Sequence, residues 1–99
     1  MENKLLHNPH VGEILKYDFL EELNISENML AENLNVSCST IEKIVQGEAS
    51  ITADIDLRLC KYFGLSEGYF LRLQNAYELM EAKRKLGEIL NKIIPYSSC

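Results

Sequence analysis

Positive charge is what this chain is short of. Ten Lys and Arg stand against fifteen Asp and Glu in 99 residues, for a formal net charge of -5. The first fifty residues hold only three cations, Lys4, Lys16 and Lys43, against nine acids. That excludes a broadly basic surface that would grip nucleic acid by charge alone. Tryptophan is absent, and the two prolines, Pro9 and Pro95, lie near the ends, so no proline interrupts helices between them. No apolar run is long enough for a signal peptide or a bilayer span, which makes a cytoplasmic protein without a membrane association the expectation. The three cysteines, Cys38, Cys60 and Cys99, are odd in number and widely spaced with no CxxC. They read as reduced thiols rather than a disulfide or zinc framework. His7 and His10 are three apart, but Pro9 separates them and no acid or cysteine completes a ligand set, so no metal site is expected. No glycine-rich phosphate loop, Ser-His-Asp order or paired catalytic carboxylates occur, which points away from an enzyme and implies no cofactor.

Apolar residues recur three and four apart between short turn signals, so the chain reads as all-α. A first helix is predicted from about His10 to Glu22, with Val11, Ile14, Leu15 and either Phe19 or Leu20 inward. One starting device then recurs: Ile25-Ser26 with Leu30, Val36-Ser37 with Ile41, and Leu65-Ser66 with Phe70 each pair a capping hydroxyl with a flanking hydrophobic staple. Thr52 caps a fourth helix carrying Ile55, Leu59, Cys60 and Phe63, with Asp54 and Arg58 paired one turn apart. Asn35, Gly47 and Gly64 follow helix ends, where a left-handed residue is favoured. A longer helix begins near Glu67, and Gly87 leaves room for a break or a separate short helix before Pro95.

The stretch from Glu27 to Gly47 is two short amphipathic helices joined by a tight turn, a helix-turn-helix. Ala31 is small where the second helix crosses the first, Asn35 tolerates positive φ, and Val36 plugs the turn. Ile41 and Ile44 point inward, which leaves Cys38, Ser39, Glu42, Lys43 and Gln46 outward. Cys38, Ser39 and Lys43 are the candidates for reading bases in double-stranded DNA. Asn28, Ser37, Thr40 and Gln46 are the candidates for holding phosphates. Cys38, at a helix N-terminus, is a candidate for a lowered thiol pKa.

Several blocks around this motif carry a family resemblance: Asn8-Pro9-His10-x-Gly12-Glu13-Ile14-Leu15, then Gly47-x-x-x-Ile51-Thr52-Ala53-Asp54, Leu57-Arg58-Leu59, Tyr62-Phe63-Gly64, and Gln74-x-Ala76-Tyr77-x-Leu79. In this order they resemble the HigA (VapI-type) antitoxins within the Xre/Cro group of phage-repressor-like proteins. The resemblance spans roughly residues 8 to 82. It implies a five-helix, lambda-repressor-like domain over residues 10–82, after an N-terminal arm of residues 1–9 and before a C-terminal helical extension of residues 83–99. It also implies a homodimer on a palindromic operator at its own promoter, and a partner toxin of the RelE/HigB-like, mRNA-cleaving kind. Four positions depart from the pattern. Glu27 stands where the family often has a phosphate-holding Gln, Cys38 where Arg is common, and Glu48-Ala49 where Lys or Arg is common.

Tyr69, Phe70, Leu73 and Tyr77 lie on neighbouring faces of the long helix and are the candidate dimer interface, with core packing as the alternative for Phe70 and Leu73. The stripe Leu86, Ile89, Leu90, Ile93 and Ile94 could extend the dimer, fold back, or receive the toxin. The expected function is an autorepressing antitoxin. The alternatives are a stand-alone Xre-type repressor and a toxin-binding inhibitor with little DNA affinity.

Overall fold

The starts of the first four helices are each fixed by a side chain that accepts a hydrogen bond from an otherwise unpaired N-terminal amide. In the computed structural model, which describes residues 8–96, the Ser26, Ser37 and Thr52 side chains accept from the amides of Met29, Thr40 and Ile55 at 3.0 to 3.2 Å. They open α2 (Glu27–Leu34), α3 (Cys38–Val45) and α4 (Ala53–Phe63). Asn35 and Gly64 follow α2 and α4 in the left-handed region, at φ 65° and 72°. α1 (Val11–Ile14) starts at His10, whose Nδ1 accepts from the Gly12 amide while the Glu13 carboxylate accepts from the His10 amide. His7 and Cys99 lie outside the described residues.

The first helix departs from a regular α-helix. α1 runs straight into a π-helical stretch, Leu15–Glu21. A five-residue hydrogen-bond repeat brings both the fourth and the fifth residue after Leu15 to the same side. Both Phe19 and Leu20 therefore turn inward: Leu20 is buried, and the half-buried Phe19 ring sits 4.9 Å from Phe63 and 5.2 Å from Phe70. The chain then turns at Asn24, φ 59°.

The long helix α5 spans Tyr69–Leu86, and here the repeated serine device fails. Ser66 does not cap it. Asp56, reaching from α4, accepts from the amides of Gly68 at 2.7 Å, Phe70 at 3.0 Å and Leu71 at 3.1 Å, and so caps α5 from another helix. The Cys60 thiol also donates to this carboxylate. Asp56 is only 1% exposed, the one buried charged residue among those described. A carboxylate can satisfy several amides at once where a hydroxyl satisfies one, and the helix begins two residues later than the serine spacing predicts.

α1 packs on α3 and α5, α2 on α3 and α4, and α4 on α5, around Leu15, Leu30, Ile41, Ile44, Leu59 and Phe70. A second clamp ties α5 to the turn after α3, where the Gln74 amide accepts from the Ile51 N–H and donates to the Ile51 carbonyl. α5 continues unbroken through residues 82 and 83 and ends at Leu86, with Gly87 as its C-cap. A short α6 (Ile89–Lys92) follows.

Candidate nucleic-acid interface

Burial decides which side of α3 faces outward. Ile41 is fully buried and Ile44 is 2% exposed, and burying such side chains is worth about 1.5–3 kcal/mol each, enough to fix the helix rotation. Ala31, at 2% exposure, lies beneath the crossing, and the Val36 amide donates to its carbonyl at 3.0 Å to close the turn. α1 fixes the other side of α3: a Cβ on Gly12 would lie 2.0 Å from the Ile44 carbonyl oxygen, so only glycine permits this approach.

With the rotation fixed, Ser39, Glu42 and Lys43 stand exposed on α3, and Gln46 at its C-cap. Cys38 and Thr40 are half-buried at the flanks. Ser37 and Thr40 are brought together, their hydroxyls 2.9 Å apart, while Ser37 also accepts from the Thr40 amide. Asn28 is exposed on α2. Lys43 is the only cation from Glu27 to Val45, against three acids, Glu27, Glu32 and Glu42.

The Cys38 thiol donates to the Glu42 carboxylate at 3.8 Å. Partial desolvation, then the Glu42 charge and hydrogen bond, then Glu27, push its pKa above the ordinary 9.0. The lowered value expected from the helix N-terminus is therefore reversed, because desolvation first, and then two nearby carboxylates, oppose the favourable effect of the amides.

The four candidate dimer residues do not behave alike. Phe70 is fully buried against Phe19 and Phe63, so it has no surface to offer a partner, and its assignment to an interface is corrected to core. Tyr69, Leu73 and Tyr77 keep part of their surface; Tyr77 sets its ring edge-on to His10 at 6.0 Å. Beyond them Leu79, Met80, Leu86, Ile89, Leu90 and Ile93 are exposed.

A helix-turn-helix family model matches residues 17–70. Virulence-associated protein I of Dichelobacter nodosus is 43% identical over 89 residues, covering 90% of this chain and 82% of that protein. The chain belongs to the HigA (VapI-type) branch of the helix-turn-helix family. The Pseudomonas aeruginosa antitoxin HigA, solved with the higBA promoter, superposes with a TM-score of 0.82 at 36% identity, covering 92% of this chain and 99% of that one. A second solved structure from Pseudomonas aeruginosa, of a protein in complex with its 18 bp operator DNA, gives a TM-score of 0.85 at 38% identity over 90% and 97% of the two chains. This is a family of DNA-binding regulators and antitoxins, not of enzymes. Among the described residues no helix is long and apolar enough to cross a membrane.

Sequence reasoning missed three residues that hold the site in place. Asp56 and Gln74 act across 12 to 23 residues of chain, and His10 caps α1 with a ring nitrogen. A signal for Asp56 existed: it lies one turn before Cys60 on the inward stripe of α4, where an isolated acid must find donors.

Proposed function

We propose that the chain is a cytoplasmic antitoxin that binds a palindromic operator at its own promoter as a homodimer and neutralises a RelE/HigB-like, mRNA-cleaving toxin. The observation that carries this reading is the anchored α3. Ile41 and Ile44 hold one side inward and leave a polar row of Ser39, Lys43 and Gln46 outward, in a chain similar to proteins solved with promoter or operator DNA. In this reading Cys38, Ser39 and Lys43 meet base edges, and Asn28, Ser37, Thr40 and Gln46 meet phosphates. Tyr69, Leu73 and Tyr77 belong to the dimer contact that sets two α3 helices one DNA turn apart.

The acidic balance of the N-terminal half favours a second reading, an inhibitor that binds a cationic toxin and has little DNA affinity. A salt-titrated gel shift on the DNA upstream of its own gene, with and without the product of the adjacent gene, separates the two. Specific binding at low salt, modulated by that product, supports the first. Loss of all specific binding even at low salt refutes it and leaves the second.

A further inference from the structure

Three exposed side chains stand on α3, and one of them, Glu42, is an acid. Its carboxylate forms no ion pair with any described residue, and its hydrogen-bond partner is the Cys38 thiol one turn back. Glu42 lies three residues past Ser39 and four past Cys38, on the same side as both, and the thiol draws its carboxylate toward the N-terminal end of the helix. That end is the one that approaches base edges when a helix enters the major groove.

A carboxylate only accepts hydrogen bonds. Guanine presents N7 and O6, both acceptors, and thymine presents the O4 acceptor beside its methyl group, so neither offers it a donor. Adenine offers its N6 amino group next to the N7 lone pair. Cytosine offers the N4 amino group with no acceptor beside it, and is the base that matches an isolated carboxylate. Phosphates repel the same group, so close DNA contact suits Glu42 best where a cytosine meets it, adenine setting its N7 lone pair beside the donor.

We propose that Glu42 is a base-selecting residue that requires a cytosine in each operator half-site and accepts a hydrogen bond from its N4 amino group. The inference rests on the operator-binding reading. Glu42 adds a negative selection to the positive one made by Lys43, which suits guanine O6 and N7.

The test is selection of bound duplexes from a library with a randomised core, using the full chain, Glu42→Ala, Glu42→Gln and Cys38→Ala, with circular dichroism confirming that each variant is folded. The natural sequence is expected to enrich one C·G pair in each half-site, and a duplex with T·A there should bind at least about tenfold more weakly. Glu42→Ala should flatten that position and leave the others unchanged. Glu42→Gln should move it toward adenine, because an amide matches N6 and N7 together. Identical selected motifs for the natural sequence and both Glu42 variants would overturn the proposal. So would a uniform rise in affinity for all duplexes in Glu42→Ala, the mark of simple repulsion. Loss of the selection in Cys38→Ala while Glu42→Ala retains it would assign the selection to the thiol and overturn the proposal too. Absence of any enrichment by the natural sequence refutes operator binding itself, and the proposal with it.

Discussion

On α3 the side chain of Lys43 carries the only positive charge within Glu27–Val45, and no ion pair among the described residues neutralises it. If it contacts a guanine edge, Lys43→Ala removes about 1–3 kcal/mol of operator binding and relaxes specificity at one base pair. A gel shift of that variant indistinguishable from the natural protein's would remove Lys43 from the reading surface. Cys38 makes a different kind of prediction. Its pKa is raised, first by partial desolvation and then by Glu42, so less thiolate exists at any pH below that value. Iodoacetamide should therefore alkylate Cys38 at pH 8 more slowly than it alkylates an unperturbed cysteine peptide. The midpoint of the pH–rate curve should lie above that peptide's, and Glu42→Gln should move it downward by removing a negative charge. A midpoint below the peptide's would mean that the helix N-terminus outweighs the desolvation and the two carboxylates.

Between elements, the Asp56 latch sets where α5 begins and hence how it lies on α4 and the turn after α3. Removing the carboxylate strands the amides of Gly68, Phe70 and Leu71, and two of those three residues pack into or against the core. Asp56→Ala is expected to cost about 3 kcal/mol or more in urea denaturation. Asp56→Asn should cost less, because an amide oxygen can still accept from Phe70 and Leu71 while its NH2 group opposes the Gly68 amide. Equal stabilities for the natural protein and Asp56→Ala would mean that the Phe70 packing alone positions α5. The latch also marks the limit of what was legible in the sequence. Starts at Ser26, Ser37 and Thr52 depend on an oxygen three residues from its amide, and such local bonds leave a spacing that can be read. Ser66 has the same spacing, yet Asp56 outcompetes it from another helix, moves the start of α5 to Tyr69 and turns Phe70 fully inward. The outward row of α3 was legible because Ile41 and Ile44 repeat at helical spacing. The Cys38 pKa was not, because it depends on where the Glu42 and Glu27 carboxylates come to rest.

For the whole molecule the scarcity of cations becomes a measurable slope. The logarithm of the DNA-binding constant falls with the logarithm of salt concentration by about 0.9 for each phosphate neutralised. A dimer offers two Lys43 side chains from its α2–α3 pairs, each cation displacing about one counterion on entering the groove even where it reads a base, and amides and hydroxyls hold phosphates without releasing counterions in the same measure. The expected slope is about -1.8, so operator affinity should fall only about 12-fold between 50 and 200 mM salt, where a protein with six to ten phosphate contacts loses about 10³–10⁵. Acids far from the groove change this little, since screening acts over about 8 Å at physiological salt. A cationic toxin, by contrast, would meet nine acids against three cations in the first fifty residues, and its association rate should fall as salt rises because steering depends on charge at long range. Measured together on the same preparation, the two titrations are diagnostic: a shallow operator slope beside a salt-sensitive toxin on-rate is the outcome that this charge distribution demands. An operator slope steeper than about -5 would require cations outside α2 and α3, such as Arg58 and Lys61 on α4, to face the DNA, and would displace α3 as the main source of affinity.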